Sequence, residues 1–288
     1  MIQQTAIGID IGGTGIRAVR MARDGTMLAE ASDVTDREAA LRQVDRLIAT
    51  LDDGSCGAIG IGVPSRIDSA TGEIYTGGFV DLSGPPLARR LVNPRQLPIA
   101  VENDGAMALI AEARVGAARG KSSAVMLTIG TGIGGGALLG GKVLRGRSSA
   151  TEFGHVTARW DGLDCVCGRR GCVETLSSGT GLRRHCREAG MSDDLKVEDL
   201  LARTDPVARG VIRNWIGPLR SAIDSLVAAL DPEIMVLGGG LGRVACQALV
   251  DFPPVSAWFQ CPVVPAAVGA KAGVIGAALA AFDLIEEH

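Results

Sequence analysis

The stretch AIGIDIGGTGIRAVRM, residues 6–21, decides the fold of this chain of 288 residues. Apolar residues flank a glycine-rich turn at residues 12–15, which predicts strands over residues 6–11 and 16–21. A third strand is predicted over residues 26–32, after an Asp-Gly turn. The three strands form an antiparallel meander.

Helical and extended patterns alternate after this meander. Apolar residues at helical spacing predict a helix over residues 36–51, and a short apolar strand follows at 59–63. A later strand at 99–101 leads into a helix from about 105 to 115. The first part of the chain is therefore predicted to be an α/β domain.

The opening theme repeats in the second part of the chain. The strand 124–129, the turn Gly130-Thr131-Gly132 and the strand 135–139 again place two strands on either side of a glycine turn. Further predicted elements are helices at 195–202 and 206–230, a strand at 234–237 and a final helix from 272. We expect two related halves around a cleft: residues 1–117 joined by the helix 272–288, and residues 118–271.

Composition excludes several classes of protein. With 47% hydrophobic and 21% charged residues, the chain has the composition of a soluble globular protein. Its 29 Lys and Arg stand against 32 Asp and Glu, so there is no basic field to hold nucleic acid. The N-terminus carries no export signal, and an odd number of seven Cys suits a reducing compartment, so we expect a cytosolic protein.

One stretch, residues 122–141, is uncharged and as long as a membrane-spanning helix. Seven of its residues are glycine, which favours two strands and a turn instead. We therefore expect no membrane segment.

Three glycine loops are candidate phosphate sites. Asp10 to Gly15 joins two strands and sets a carboxylate, able to hold Mg²⁺ through water, beside unscreened backbone N–H groups. A plain tight hairpin would explain this loop alone equally well. Similar loops recur at 128–136 and 236–241, and none has the Walker or Rossmann form, so we expect a nucleotide held between two domains.

The carboxylate of Asp104 follows the strand at 99–101 and opens a helix. The simplest role for such an Asp is to cap the helix. Phosphoryl transfer to an alcohol, however, needs a carboxylate to accept the hydroxyl proton, and a strand end is where it would lie. We therefore expect Asp104 to be a general base.

The strongest single signal is a group of one His and three Cys within eighteen positions: His155, Cys165, Cys167 and Cys172. Four such ligands suit a closed, tetrahedral structural Zn²⁺ site, with buried cysteines of the core as the alternative. The other cysteines are expected in the core, at Cys56, Cys186, Cys246 and Cys261. His185 and His288 are expected on the solvated surface.

Together these motifs resemble the ROK family, which contains bacterial sugar kinases, repressors and unassigned proteins. The segments that carry the resemblance are Asp10-Ile11-Gly12-Gly13-Thr14, Glu102-Asn103-Asp104, Gly130-Thr131-Gly132, Glu152-Phe153-Gly154-His155, residues 165–174 and Gly238-Gly239-Gly240. The resemblance runs from about Ile7 to the last helix. It implies an actin/hexokinase-like fold of two ribonuclease-H-like α/β domains, with ATP and sugar in the cleft, and a homodimer.

The resemblance also assigns residues. It implies that Asp104 is the general base and that the sugar hydroxyls are bound by Asn103, Glu152, His155 and Glu174. It implies that ATP is held by Asp10, Gly12, Gly13, Thr14, Gly130, Thr131, Gly132, Gly238 and Gly239. It implies that zinc is held by His155, Cys165, Cys167 and Cys172.

One departure from the family pattern limits the substrate prediction. Where many sugar kinases of the family have Asn-Leu-x-Gly-Trp, this chain has Gly78-Phe79-Val80-Asp81-Leu82, so an Asn that contacts the sugar is missing. Glu152 argues against the N-acetylmannosamine kinases, some of which lack that carboxylate. Only nine residues precede Asp10, which argues against the DNA-binding domain of the family's repressors.

We expect an ATP- and Mg²⁺-dependent hexose kinase that phosphorylates the 6-hydroxyl of glucose or a close aldohexose. Alternative acceptors are allose, fructose and an N-acetylhexosamine such as N-acetylmannosamine or N-acetylglucosamine, and polyphosphate is an alternative donor. A non-catalytic sugar sensor is the alternative from another class of protein.

Overall fold

A computed structural model describes residues 4–75, 80–148 and 150–286. The strands are β1 (Thr5–Ile11), β2 (Gly15–Ala22), β3 (Met27–Val34), β4 (Cys56–Val63), β5 (Ile99–Asn103), β6 (Ala124–Ile129), β7 (Ile133–Leu139), β8 (Lys142–Val143), β9 (Ile234–Gly238) and β10 (Val263–Pro265). The helices are α1 (Ala40–Leu51), α2 (Asp104–Val115), α3 (Val173–Ser177), α4 (Gly179–Glu188), α5 (Val197–Leu201), α6 (Pro206–Leu230), α7 (Gly242–Leu249) and α8 (Ala272–Glu286).

The chain divides into two compact units. The first contains Met1–Arg119, Val143–Ala150 and Ala270–His288, and the second contains Gly120–Lys142 and Thr151–Gly269. The segment 143–150, which we expected in the second half, belongs to the first unit.

The first unit is built on a sheet with the order β3-β2-β1-β4-β5. The meander β1 to β3 is antiparallel, and β4 and β5 extend it in parallel to β1. Side chains alternate along β1, so that Ile7 and Ile9 lie in the same apolar cluster as α1, while Ala6 clusters with α8. The three predicted strands and the crossover helix are confirmed.

Glycine lets α8 pack directly against the sheet of the first unit. A methyl group at Gly8 would lie 2.2 Å from the carbonyl oxygen of Val274, and one at Gly60 would lie 1.8 Å from that of Ala277. The backbone of the C-terminal helix therefore approaches β1 and β4 at positions where no side chain fits.

The second unit is built on a sheet with the order β10-β9-β6-β7-β8. Strands β6 and β7 form an antiparallel hairpin, and β9 and β10 lie parallel to β6. The uncharged stretch 122–141 thus forms strands, as predicted. Among the residues that the structure describes, no helix has the length and apolar character needed to cross a membrane.

Three sequence expectations need correction or fall outside the described ranges. Helix α1 begins at Ala40 rather than at residue 36, because the Asp36 carboxylate accepts the N–H groups of Glu38 and Ala39 in a turn (3.0 and 3.3 Å). His185, expected on the surface, is 6% exposed. Three residues named above lie outside the described ranges: His288, and Gly78 and Phe79 of the segment that differs from the family's Asn-Leu-x-Gly-Trp pattern.

The other four cysteines are distributed as single thiols in both units. Cys56 and Cys186 are buried as expected, whereas Cys246 and Cys261 are half-buried.

Candidate functional site

Two acidic residues that the sequence singled out, Asp10 and Asp104, lie at the carboxyl ends of parallel strands in the first unit. In the β1–β4 register Asp10 lies opposite Gly62, and Asp104 follows β5, the next strand. A methyl group at Gly62 would lie 3.4 Å from Asp10 Oδ1 and 3.7 Å from Asp104 Cα. The sheet register therefore places both residues, Asp10 and Asp104, next to the same glycine.

The carboxylate of Asp10 lies in a confined, half-buried position. A methyl group at Gly273, on α8, would lie 2.7 Å from its Cγ and Oδ2. Burial raises the pKa of Asp10, and the charge of Arg17 on the paired strand lowers it in part. A shielded carboxylate of this kind can hold a hydrated divalent cation.

Asn103, rather than Asp104, caps helix α2. The Asn103 side chain accepts the N–H of Gly105 at 2.9 Å and donates from Nδ2 to the carbonyl of Ser65 at 3.4 Å. The capping alternative for Asp104 is thus wrong by one residue. Asp104 is the first residue of the helix, where its carboxylate accepts the same N–H at 2.7 Å.

The first glycine loop is closed by its own backbone. The N–H of Gly12 donates to the carbonyl of Gly15 at 3.0 Å, and the Thr35 hydroxyl holds the Gly12 carbonyl at 2.7 Å. These bonds fix the loop that contains Gly13 and Thr14 at the end of β1.

The second glycine loop joins β6 to β7 in the second unit. The N–H of Gly130 donates to the carbonyl of Gly132 at 2.9 Å, which closes a turn around Thr131. The third loop lies beside it, because Thr128 of β6 pairs with Gly238 of β9.

Gly239 of the third loop has a positive φ of 74°, which favours glycine. A methyl group there would lie 2.4 Å from the carbonyl oxygen of Ile129, the last residue of β6. The two predicted nucleotide loops of the second unit therefore form one continuous edge.

Three predicted sugar ligands also lie in the second unit. His155 ends a short 3₁₀ helix, Phe153–His155, and its Nε2 lies 4.0 Å from Glu152 Oε2. Glu174 lies in the first turn of α3, and its Oε2 accepts the N–H of Ile133 at 2.8 Å. The third predicted ligand is therefore bonded to the residue that follows the second glycine loop.

One atom from each of His155, Cys165, Cys167 and Cys172 lies within 4.8 Å of all the others. His155 Nδ1 is 3.5 Å from the sulfur of Cys165, and the sulfurs of Cys167 and Cys172 are 3.6 Å apart. The structure thus brings the four predicted ligands together as one cluster. The imidazole presents Nδ1 to the thiols and Nε2 to Glu152, so one ring can serve both a metal and a substrate.

Backbone turns hold these thiols in place. Gly168 and Gly171 have positive φ values of 84° and 71°, and a methyl group at Gly171 would lie 1.6 Å from the carbonyl oxygen of Arg159. Burial and the neighbouring thiols raise the pKa of Cys172 to about 12. A cation would be needed to gather three thiolates here, which is the chemistry of a zinc site.

The model of the ROK family matches residues 6–283 of the chain. This chain belongs to the ROK family. The ROK protein is 30% identical to the glucokinase of Thermotoga maritima, over 94% of this chain and 95% of the relative. It is 33% identical to the N-acetylgalactosamine kinase AgaK of a Shewanella species, over 96% of each chain.

Solved structures agree with this assignment. A ROK family glucokinase from Streptomyces griseus, crystallised with glucose and AMPPNP, is 29% identical and superposes with a TM-score of 0.82 over 97% of this chain and 99% of that one. The ROK hexokinase of Thermus thermophilus is 32% identical, with a TM-score of 0.80 over 99% and 100%. The predictions of an actin/hexokinase-like fold and of an ATP-dependent sugar kinase are confirmed.

Sequence reasoning missed several residues that shape the site of this ROK protein. Gly62 and Gly273 are isolated glycines, and no local pattern signals that they border Asp10. Thr180 donates its hydroxyl to the carbonyl of Thr131 at 2.9 Å, across 49 residues of sequence. Glu102, quoted only as part of a motif, forms an ion pair with Arg145. Contacts at such sequence separations are outside the reach of motif analysis.

Proposed function

We propose that this ROK protein transfers the γ-phosphate of ATP to the 6-hydroxyl of glucose or a close aldohexose. The observation that carries the proposal is the placement of Asp10 and Asp104 on either side of Gly62, at the ends of parallel strands. Two carboxylates there provide the two roles that the reaction needs: one holds the hydrated cation of the nucleotide, and the other accepts the proton.

Asp104 accepts the proton of the sugar hydroxyl while the oxygen of that hydroxyl attacks the γ-phosphorus of ATP. The bond from phosphorus to the β,γ-bridging oxygen breaks, and ADP leaves. Magnesium bound with ATP, next to Asp10, would supply charge neutralisation. The chain itself contributes positioning and backbone N–H groups from its glycine loops.

Glu152, His155 and Glu174 are proposed to bind the sugar hydroxyls, together with Asn103. Carboxylates and an imidazole are suited to this task, since each can accept or donate a directed hydrogen bond. The choice of glucose is supported by the glucokinases among the relatives. The N-acetylgalactosamine and N-acetylmannosamine kinases among them make N-acetylhexosamines the main alternative.

The cluster of His155, Cys165, Cys167 and Cys172 is proposed to hold a structural Zn²⁺. Its four ligands would close a tetrahedral site, so the ion would orient His155 and the start of α3 without entering the reaction. A cytosolic location and a homodimer, the assembly common in the family, belong to the same proposal.

A coupled assay of ADP release tests the proposal with ATP as the donor, across glucose, allose, fructose and the three N-acetylhexosamines. Polyphosphate as a second donor releases no ADP, so the sugar phosphate that forms from it is measured directly. The highest kcat/KM with glucose or allose would support it. A preference for an N-acetylhexosamine would overturn the acceptor assigned here. Sugar binding by calorimetry with no ADP release from any hexose would identify a sensor instead.

A further inference from the structure

The first two residues of α4, Gly179 and Thr180, are bonded to two consecutive residues of the second glycine loop. The N–H of Gly179 donates to the carbonyl of Gly130 at 2.8 Å, and the N–H of Thr180 donates to that of Thr131 at 3.3 Å. The Thr180 hydroxyl adds a shorter bond, 2.9 Å, to the same Thr131 carbonyl. Two successive carbonyls of the loop are therefore held by α4.

This arrangement sets the direction of the loop's donors. In a trans peptide the C=O and the following N–H point in opposite directions. Because the carbonyls of Gly130 and Thr131 face α4, the N–H groups of Thr131 and Gly132 point away from it. Successive N–H groups turned to one side form a binding concavity for an anion such as phosphate.

Thr180 is the residue of this contact whose side chain can be replaced without a steric clash. Gly179 admits no side chain, because a methyl group there would lie 2.9 Å from the carbonyl oxygen of Gly130. The loop is also held from the other end by Glu174 through Ile133, and a methyl group at Gly132 would lie 2.5 Å from Glu174 Oε2. The Thr180 hydroxyl is thus the side-chain bond that locks the Thr131 peptide.

We infer that Thr180 is a positioning residue for the ATP phosphates. Its hydroxyl holds the Thr131 carbonyl, and so aims the N–H of Gly132 at a phosphate oxygen without touching the nucleotide. This inference rests on the proposed function, since it takes the second loop as a phosphate site. It adds a residue outside the glycine motif, on a helix that follows the proposed sugar ligand Glu174.

The test replaces Thr180 by Val, which keeps the side-chain shape and removes the hydroxyl. Affinity for AMPPNP with Mg²⁺ is measured by calorimetry without sugar, and KM and kcat are measured with the best sugar of the panel. We expect AMPPNP affinity to fall about fivefold, the effect of one neutral hydrogen bond, with a matching rise in the KM for ATP. The KM for sugar at saturating ATP and the melting temperature should change little.

Two further variants separate positioning from general damage. Thr180→Ser keeps the hydroxyl and should restore AMPPNP affinity. Thr50→Val removes an equivalent exposed hydroxyl, which donates to the Arg46 carbonyl on α1 at 2.8 Å, and should leave nucleotide binding unchanged. Wild-type AMPPNP affinity in Thr180→Val, or equal losses for sugar and nucleotide, would overturn the inference while the kinase proposal stands.

The proposed function can fail separately. If the wild-type protein binds AMPPNP but phosphorylates no sugar, the kinase proposal is overturned. The AMPPNP affinities of the Thr180 variants still test whether Thr180 positions the second glycine loop. Wild-type protein that does not bind AMPPNP would overturn both.

Discussion

Asp104 is the residue on which the proposed chemistry depends. It occupies the first position of α2, where the neighbouring Asn103 already caps the helix, so the Asp104 carboxylate is not required as the cap. We predict that Asp104→Asn lowers kcat by roughly 10²–10⁴-fold, the range for a lost general base, and changes sugar affinity far less. Steady-state kinetics and sugar titration check this. Near wild-type kcat would rule out Asp104 as the base.

Gly273 tests the role of Asp10 without replacing it. In Gly273→Ala the new methyl group would lie 2.7 Å from the Asp10 carboxylate, which must move because it is the mobile end of its side chain. We predict that kcat/KM for ATP falls by about 10–100-fold, as expected for a displaced positioning group, while the melting temperature is nearly unchanged. Unchanged kinetics with respect to ATP and Mg²⁺ would contradict the assignment of Asp10.

At the scale of an element, the proposed zinc knuckle, which consists of His155, Cys165, Cys167 and Cys172, joins two proposed sugar ligands. Cys172 occupies the N-cap position of α3, Glu174 follows it by two residues, and His155 is both a proposed zinc ligand and a proposed sugar ligand. Cys167 is exposed, so Cys167→Ala leaves no buried cavity. We predict that Cys167→Ala loses its zinc, as measured by elemental analysis. Its affinity for sugar should fall more than its affinity for AMPPNP.

Cys246→Ala is the matched control for the knuckle, because Cys246 is half-buried and lies outside the four-residue cluster. It should retain zinc and both affinities. Zinc-free Cys167→Ala protein with unchanged sugar affinity would show that the metal is a structural staple only.

Helix α4 is held to α3 by a buried histidine. His185 Nε2 lies 3.0 Å from the carbonyl oxygen of Leu176, and Nδ1 lies 3.7 Å from Glu188 Oε2. Burial, with the charge of Arg184, lowers the pKa of His185, although Leu176 and Glu188 act in the opposite sense. The folded chain therefore keeps His185 neutral at a pH where the unfolded chain protonates it.

The sign of the resulting pH dependence follows from linkage. Below about pH 6.5 the unfolded state binds the extra proton, so the free energy of unfolding falls as the pH is lowered. We predict that His185→Gln, which can still donate to the Leu176 carbonyl, loses part of this dependence. Urea midpoints at about pH 7.5 and about pH 5.5 check this. Equal midpoint shifts in both proteins would contradict it.

At the scale of the whole molecule, the chain leaves the first unit and returns to it. Residues 270–288 complete the unit that begins at the N-terminus, and α8 packs against α2 there. At the contact, a methyl group on Gly276 would lie 1.7 Å from the carbonyl oxygen of Met107. The C-terminal helix is therefore part of the core of the first unit.

Gly276→Ala tests this organisation. A backbone carbonyl cannot move as a side chain can, so we predict a loss of stability of roughly 1–3 kcal/mol or more, measured by thermal or urea unfolding. Gly217→Ala on α6 is the control, since a methyl group there meets nothing within 4 Å. That change should be neutral or stabilising by up to about 1 kcal/mol. Equal stabilities of the two variants would contradict the predicted role of the close contact.

Much of the fold was predictable because its signals are local. Strand β6 and helix α6 have the predicted bounds, 124–129 and 206–230. The pattern of apolar residues that predicts each element is visible within a few residues of sequence. Helix α3 was missed because it has only five residues. The start of α4 was missed because two glycines, at positions 179 and 181, lie in its first turn.

The sequence by itself determined the family, the order of the longer strands and helices, and the group of one His and three Cys, because close spacing along the chain carries each signal. Only the tertiary structure placed Gly62 between Asp10 and Asp104, buried His185, and bonded Thr180 to Thr131. The physical reason is that sheet register and helix packing join residues many positions apart. Those contacts depend on how distant apolar faces fit together, which no local pattern specifies.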